Sequence, residues 1–222
     1  MPDEKKYPVP AELLFQYTQP LNVVLFRPIR FRVDPKGWLL GQMICKEEWA
    51  LGCKSPEFCH TAVMLFHDDH WCLYEENWPA PRFRELDTVN WDDACVLPFQ
   101  WDKLEAFGQS RMVVNSMAVD WCEGQLKTQT YGVPSIVDFC EHGTLAFLFQ
   151  WLQPKQKARR ETETNKGFSQ VKMVCSQVVC ELFLKKLGID LLPHIAEGQE
   201  CPGDLTESVW HDVTKCLGRL GQ

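Results

Sequence analysis

An α+β fold follows from three features of the sequence. Short runs of strand type fill the middle of the chain, and helical spacing fills its end. Between them "CHTAVMLFHDDHWCLYEE" sets two apolar runs on either side of a polar four-residue interruption. That pattern is a hairpin signal with "HDDH" as the turn. Strands in the middle and helices at the end make the class α+β.

Residues 1–20 read as an N-terminal extension, in which "MPDEKKYPVP" is polar and proline-bearing and "AELLFQY" forms a short helix. "LNVVLFRPIRFRV" has strand character. "GWLLGQMICKEEWALG" is apolar at mixed spacing and suits a helix, or a strand followed by a helix. Beyond the hairpin, "PRFRELDTVNW" and "DACVLPFQW" supply further short strands, and "SRMVVNSMAVDW" reads as a strand leading into a helix. "YGVPSIVDFCEHGTLAFLFQWL" is mainly helical after Pro134. Residues 153–170, "QPKQKARRETETNKGFSQ", lack core character and read as a long exposed loop, of the kind that is usually functional or disordered. Lys155, Lys157, Arg159, Arg160 and Lys166 make it basic, which suits a solvated connection or a nuclear-import tract, or else a flap that gathers an anionic substrate. From Val171 the apolar positions Val171, Val174, Val178 and Leu182 recur at helical spacing, and Gly188 and then Pro193 stop that helix. In "CPGDLTESVWHDVTKCLG", Pro202 and Gly203 make a turn, while Asp204 and Glu207 have capping-box spacing for a last helix. No internal repeat or boundary interrupts this order, so one domain over residues 1–222 is expected.

The 222 residues suffice for a sizeable core, and 45% hydrophobic with 24% charged residues is ordinary for a soluble globular protein. A net charge of −7 argues against general nucleic-acid binding, which needs a basic surface. No apolar run approaches the ~20 residues needed to cross a membrane. The start of the chain shows no hydrophobic segment of signal-peptide type, which predicts a cytoplasmic location. Eleven cysteines are scattered without a CxxC pair. Zinc sites favour close pairs and disulfide frameworks suit short secreted chains, so reduced thiols are expected, with no metal and no cofactor.

Cys175 falls in the first turn of the helix that follows Val171. Free backbone N–H groups and the positive end of the helix dipole favour a thiolate there, although a packed, inert cysteine uses the same position. Ser176 reads as a first-turn residue and Cys180 as packing. A nucleophilic cysteine needs a base, and the base needs an orienting partner. Of six histidines, His60 opens the apolar strand "HTAVMLF", where a side chain at the rim of a sheet can enter a cleft. Glu75 ends the returning strand "WCLYE", near the same end of the hairpin. Glu76 is the rival, because sequence alone does not fix the register. His67, Asp68, Asp69 and His70 could be drawn as a metal site, but a solvated hairpin tip uses the same residues.

The order of these parts is a strand opening on His, a return ending in Glu, a "TYG" segment, a helix beginning "VCS" and a late "PGDL". It resembles the permuted NlpC-type papain-like cysteine peptidases and amidases, such as the YiiX-like proteins, which are related to the lecithin retinol acyltransferase class. "LNVVLFRP" resembles the family's opening strand, with Leu21-Asn22 where Gly-Asp is usual. "CHTAVML" resembles its histidine strand, with Cys59 where Ser is frequent. "LYEEN", "TQTYGVPSIV", "MVCSQVV" and "CPGDLTES" continue the likeness, which runs from about Leu21 to Trp210.

The resemblance implies a permuted papain-like fold, an antiparallel sheet or small barrel packed against the helix that carries the nucleophile. It implies that Cys175 is the nucleophile, His60 its general base and Glu75 the residue that orients the imidazole. Tyr131 would bind substrate or stabilise the oxyanion. The implied substrate is a peptide or acyl conjugate cleaved at an amide bond, without metal or organic cofactor. Lipid acyl transfer or thioester hydrolysis is the enzymatic variant, and a binding module that has lost the reaction is the competing class.

Overall fold

The computed structural model describes residues 6–28, 35–53, 55–76, 80–105, 108–131, 153–164, 172–196 and 198–215. Its centre is a five-stranded antiparallel sheet in the order β4-β3-β2-β1-β5. The strands are β1 (Val23–Phe26), β2 (His60–His67), β3 (His70–Glu76), β4 (Pro81–Glu85) and β5 (Ala94–Leu97). Helices α1 (Pro35–Ala50), α2 (Trp101–Glu105), α3 (Arg111–Thr128), α4 (Gln153–Thr162) and α5 (Cys175–Leu182) surround it. Two short parallel strands, β6 (Thr130–Tyr131) and β7 (Lys172–Met173), pair beside the start of α5. The α+β expectation therefore holds. Among the described residues no helix is long and apolar enough to cross a membrane.

The hairpin forms where the alternation put it, and its turn is tighter than the four-residue interruption suggested. His67 and His70 pair as the last rung, leaving Asp68 and Asp69 as a two-residue turn with φ of 49° and 62°. Left-handed backbone at both positions matches the right-handed twist of the strands, and Asp tolerates it better than most residues. Period-two alternation then divides the core. Val23, Leu25, Val63, Leu65 and Tyr74 face α3 and α5, where Val114, Ala118, Val178 and Leu182 meet them. Val24, Ala62, Met64 and Leu73 face the other way, onto Leu13, Leu86 and Val89.

Several expectations need correction. "SRMVVNSMAVDW" contains no strand, because α3 begins at Arg111. Val114, Ala118 and Cys122 recur every four residues and are buried, and that burial outweighs the β-branched bias of the Val-Val pair. Of the two alternatives for "GWLLGQMICKEEWALG", the helix holds, with α1 running to Ala50 before a turn at Leu51 and Gly52. The helix predicted from Val171 starts at Cys175, since Lys172 and Met173 are drawn into β7 and Val174 is extended (φ −102°, ψ 169°). A π-helical turn over Phe183–Leu187 carries it on to the expected end at Gly188, with φ 65°. The capping box lies three residues early: the Asp204 carboxylate accepts the Cys201 N–H at 2.9 Å, and a 3₁₀ turn follows over Pro202–Glu207. This turn packs so closely that a Cβ on Gly203 would run into the Ser55 carbonyl.

The exposed basic loop expected at 153–170 is a helix over Gln153–Thr162, and Arg160 in it is 2% exposed. Its guanidinium donates to the Gln199 and Leu51 carbonyls and pairs with Asp204, so a fixed set of acceptors holds the cation inside. Residues 165–170 of that segment, and the helix expected after Pro134 (to residue 152), lie outside the described residues.

Candidate active site

β2 and β3 bring His60 and Glu75 together. Ala62 faces Glu75 across the hairpin, so His60 and Glu75 stand on one face, two positions apart along β2. His60 Nε2 and Glu75 Oε2 are 3.0 Å apart. Glu75, not Glu76, is thus the carboxylate at the histidine. Two further partners, which the sequence reading missed, sit on β4: Arg82 Nε donates to Glu75 Oε1 at 2.8 Å, and Arg84 lies 3.6 Å from Oε2. Their signal was the alternation in "PRFRE", which puts both arginines on one face, with Arg82 directly across from Glu75.

Cys175 is the first residue of α5, which packs on β2 and β3. Its sulfur lies close enough to the His60 ring to act on the charge of the imidazole. Burial alone would lower the His60 pKa, but the neighbouring Cys175 sulfur and the Glu75 carboxylate more than reverse this and raise it to about 10. Burial would raise Glu75, yet its bond to His60 and the charges of His60, Arg84 and Arg82 bring it down to about 2. The pair is recessed: Cys175 is 6% exposed and the His60 side chain 23%.

The first turn of α5 is braced from behind. Ser176 Oγ donates to the Glu200 carbonyl at 2.6 Å and Gln177 Nε2 to the Gly198 carbonyl at 2.7 Å. Gln177 Oε1 also accepts the Val174 N–H at 3.0 Å, closing the helix start. Ser176 is therefore a structural residue. Tyr131 pairs by its backbone with Met173, two residues before Cys175, which brings this segment to the start of α5; its side chain lies outside the described residues. Leu21, where the resemblance expects glycine, has φ 67°, the left-handed backbone that glycine adopts freely.

α1 contributes residues that the sequence did not single out. Cys45 and Glu48 stand one turn apart, and the Cys59 thiol beside Cys45 lowers the Cys45 pKa while that of Cys59 is raised. Glu48 is 4% exposed, and burial raises its carboxyl pKa well above the usual range, helped by the nearby Cys201, Cys45, Asp204 and Cys175.

The hairpin-tip residues do not gather as ligands. His67 pairs with Glu123 at 3.0 Å and with Asp68 at 3.5 Å, and His70 Nδ1 meets the Asp68 carbonyl. Among the described residues, Cys53, Cys201 and Asp204 are the one group of three ligand-type side chains with converging donor atoms. His142 lies outside the described residues. Comparison of the chain with protein-family models and with curated proteins found no match.

Proposed function

We propose that this chain is a thiol hydrolase that cleaves an amide bond in a peptide or peptide-like conjugate, built on the permuted papain-like plan that the sequence resembles. One observation carries the reading: a helix-start cysteine shares an imidazole with a buried carboxylate that two arginines hold ionised. The left-handed backbone at Leu21 and the five-stranded antiparallel sheet under α5 also support it.

In this mechanism Cys175 Sγ attacks the scissile carbonyl carbon, and the free N–H groups at the start of α5 face the developing oxyanion. The protonated His60 gives its proton to the leaving nitrogen as the C–N bond breaks, and a thioester remains on Cys175. His60, now neutral, takes a proton from water. The hydroxide equivalent adds to the thioester, and the carboxylic acid leaves as the sulfur recovers its charge. Glu75 holds the ring in one orientation and stabilises its charged form through both steps.

The test is competitive alkylation of the folded protein with limiting iodoacetamide at pH 7, followed by peptide mapping. Cys175 should react ahead of the other ten cysteines, and His60→Ala should slow it by about tenfold or more. If alkylation instead follows exposure, with Cys45, Cys59 and Cys180 leading, the nucleophile assignment fails.

A further inference from the structure

On the far side of the brace behind α5, Cys53 and Cys201 face each other. Their sulfurs are 2.6 Å apart, and the residues are 7% and 2% exposed. Arg160 donates to the Cys201 sulfur at 3.3 Å while pairing with Asp204. Two explanations fit two cysteines and a carboxylate in one buried cluster. A shared zinc would bind each thiolate at ~2.3 Å and hold the two sulfurs ~3.8 Å apart on a tetrahedron. The observed separation is far inside that. A guanidinium also already pairs with both Cys201 and Asp204, so a divalent ion would enter against a fixed positive charge.

We propose that Cys53 and Cys201 are a thiol–disulfide couple that closes to a covalent link between the turn after α1 and the segment bracing α5. Glu200, next to Cys201, accepts the Ser176 hydroxyl, and Gly198 accepts the Gln177 amide. Closing the link therefore anchors the support of the first turn of α5. The couple lies outside the chemistry assigned to Cys175 and stands whether or not that chemistry occurs.

Closure removes two protons and two electrons, so it needs an acceptor, and a small organic disulfide is the class proposed. A Cys201 thiolate displaces one thiol from it to give a mixed disulfide, and Cys53 then displaces the second thiol. One external S–S bond is broken and one internal S–S bond is made. Burial pushes the Cys53 thiol up to about 11 and raises Cys201 as well, which makes closure slow, while the Arg160 charge opposes this at both sulfurs. A cavity of about 440 Å³ lies beside the pair, lined by Gly52, Arg160 and Asp204, with Glu161, Glu207 and His194 on its wall. Those acids favour a cationic disulfide such as cystamine.

The experiment uses the full chain carrying Cys175→Ala, so that the nucleophile does not compete. The folded protein is incubated with cystamine, denatured, alkylated and mapped, with a dithiothreitol-treated sample alongside. The expected result is a peptide linking Cys53 to Cys201, loss of both from the alkylated pool and recovery of both after reduction. The thermal midpoint of the oxidised form should be higher by about 5–10 °C. Cys53→Ser should abolish the linked peptide and leave Cys201 alkylated or capped by cysteamine. If that variant does not fold, the map of the Cys175→Ala protein decides alone. Full alkylation of both cysteines after cystamine has reacted elsewhere overturns the proposal. So does stoichiometric zinc that survives gel filtration and is lost on alkylating this pair.

Discussion

At the end of β3 the two faces of the sheet treat a glutamate in opposite ways. Glu75 is 1% exposed and Glu76 is fully buried, so burial does not distinguish them. Glu75 turns to the face where His60, Arg82 and Arg84 converge, and its pKa falls to about 2. Glu76 turns to the face shared with Tyr74, where neither of its oxygens has a hydrogen-bond partner, and burial raises its pKa to about 8. One step along a strand separates an obligate carboxylate from a carboxylic acid that keeps its proton at neutral pH. What decides the charge is the set of partners that strand alternation offers.

The sharpest break of this comparison is a pair of isosteric substitutions. Glu75→Gln should slow Cys175 alkylation by about tenfold to a hundredfold and cost about 3 kcal/mol of stability at pH 7, the size of the linkage lost. Glu76→Gln should leave alkylation unchanged and raise stability by about 3 kcal/mol at pH 7, because the folded state no longer has to hold a proton that the unfolded chain releases. Equal effects from the two substitutions would erase the distinction. Urea titrations and alkylation rates measured on the same preparations check both halves.

A second test separates the two groups by pH. The Glu75 contribution is present above pH 4.5 and lost as pH falls towards about 2, whereas the Glu76 penalty grows as pH rises from 4.5 to about 8 and then levels. His60 adds stability that is complete below pH 6.5 and lost as pH rises through about 10. Stability should therefore peak on the acid side of neutrality. Glu76→Gln should flatten the slope between pH 5 and 8 without moving the acid limb, and Glu75→Gln should remove the acid limb. A wild-type maximum above pH 8 would contradict the assignment.

The smallest expected effect is at Tyr74, on the same face as Glu76, whose hydroxyl is buried without a partner. Tyr74→Phe removes an unsatisfied polar group and should stabilise by up to about 1 kcal/mol, seen as a small rise in thermal midpoint. A clear destabilisation would mean that this face offers hydrogen bonding to its buried groups after all.

The sequence made the hairpin legible because alternation, turn residues and length all agree there, and with it came His60 and the choice between two glutamates. The helix-start cysteine was legible from the spacing that follows it, although the strand pairing of Lys172 and Met173 was not, since β6 and β7 are too short to leave a pattern. Residues 153–162 misled because composition records charge and not partnership: Arg160 is buried among acceptors distant in sequence, the Leu51 and Gln199 carbonyls and Asp204, forty-four residues later. Arg82 and Arg84 were overlooked for the same reason, as two cations on a short strand look like a solvated edge until register brings a carboxylate opposite them.

The hairpin also sets an order of assembly. His60 and Glu75 are fifteen residues apart and meet within one antiparallel turn-back, a contact that closes in about 1–10 μs. Cys175 follows His60 by more than a hundred positions and joins it only when α5 docks on β2, after the costly long-range loop has closed. While such a chain is being made, its imidazole and carboxylate can pair early, but its thiol has no neighbour to activate it. On the proposed mechanism the sulfur is thus the last member to arrive, and an incomplete or misfolded copy would carry the base without its nucleophile.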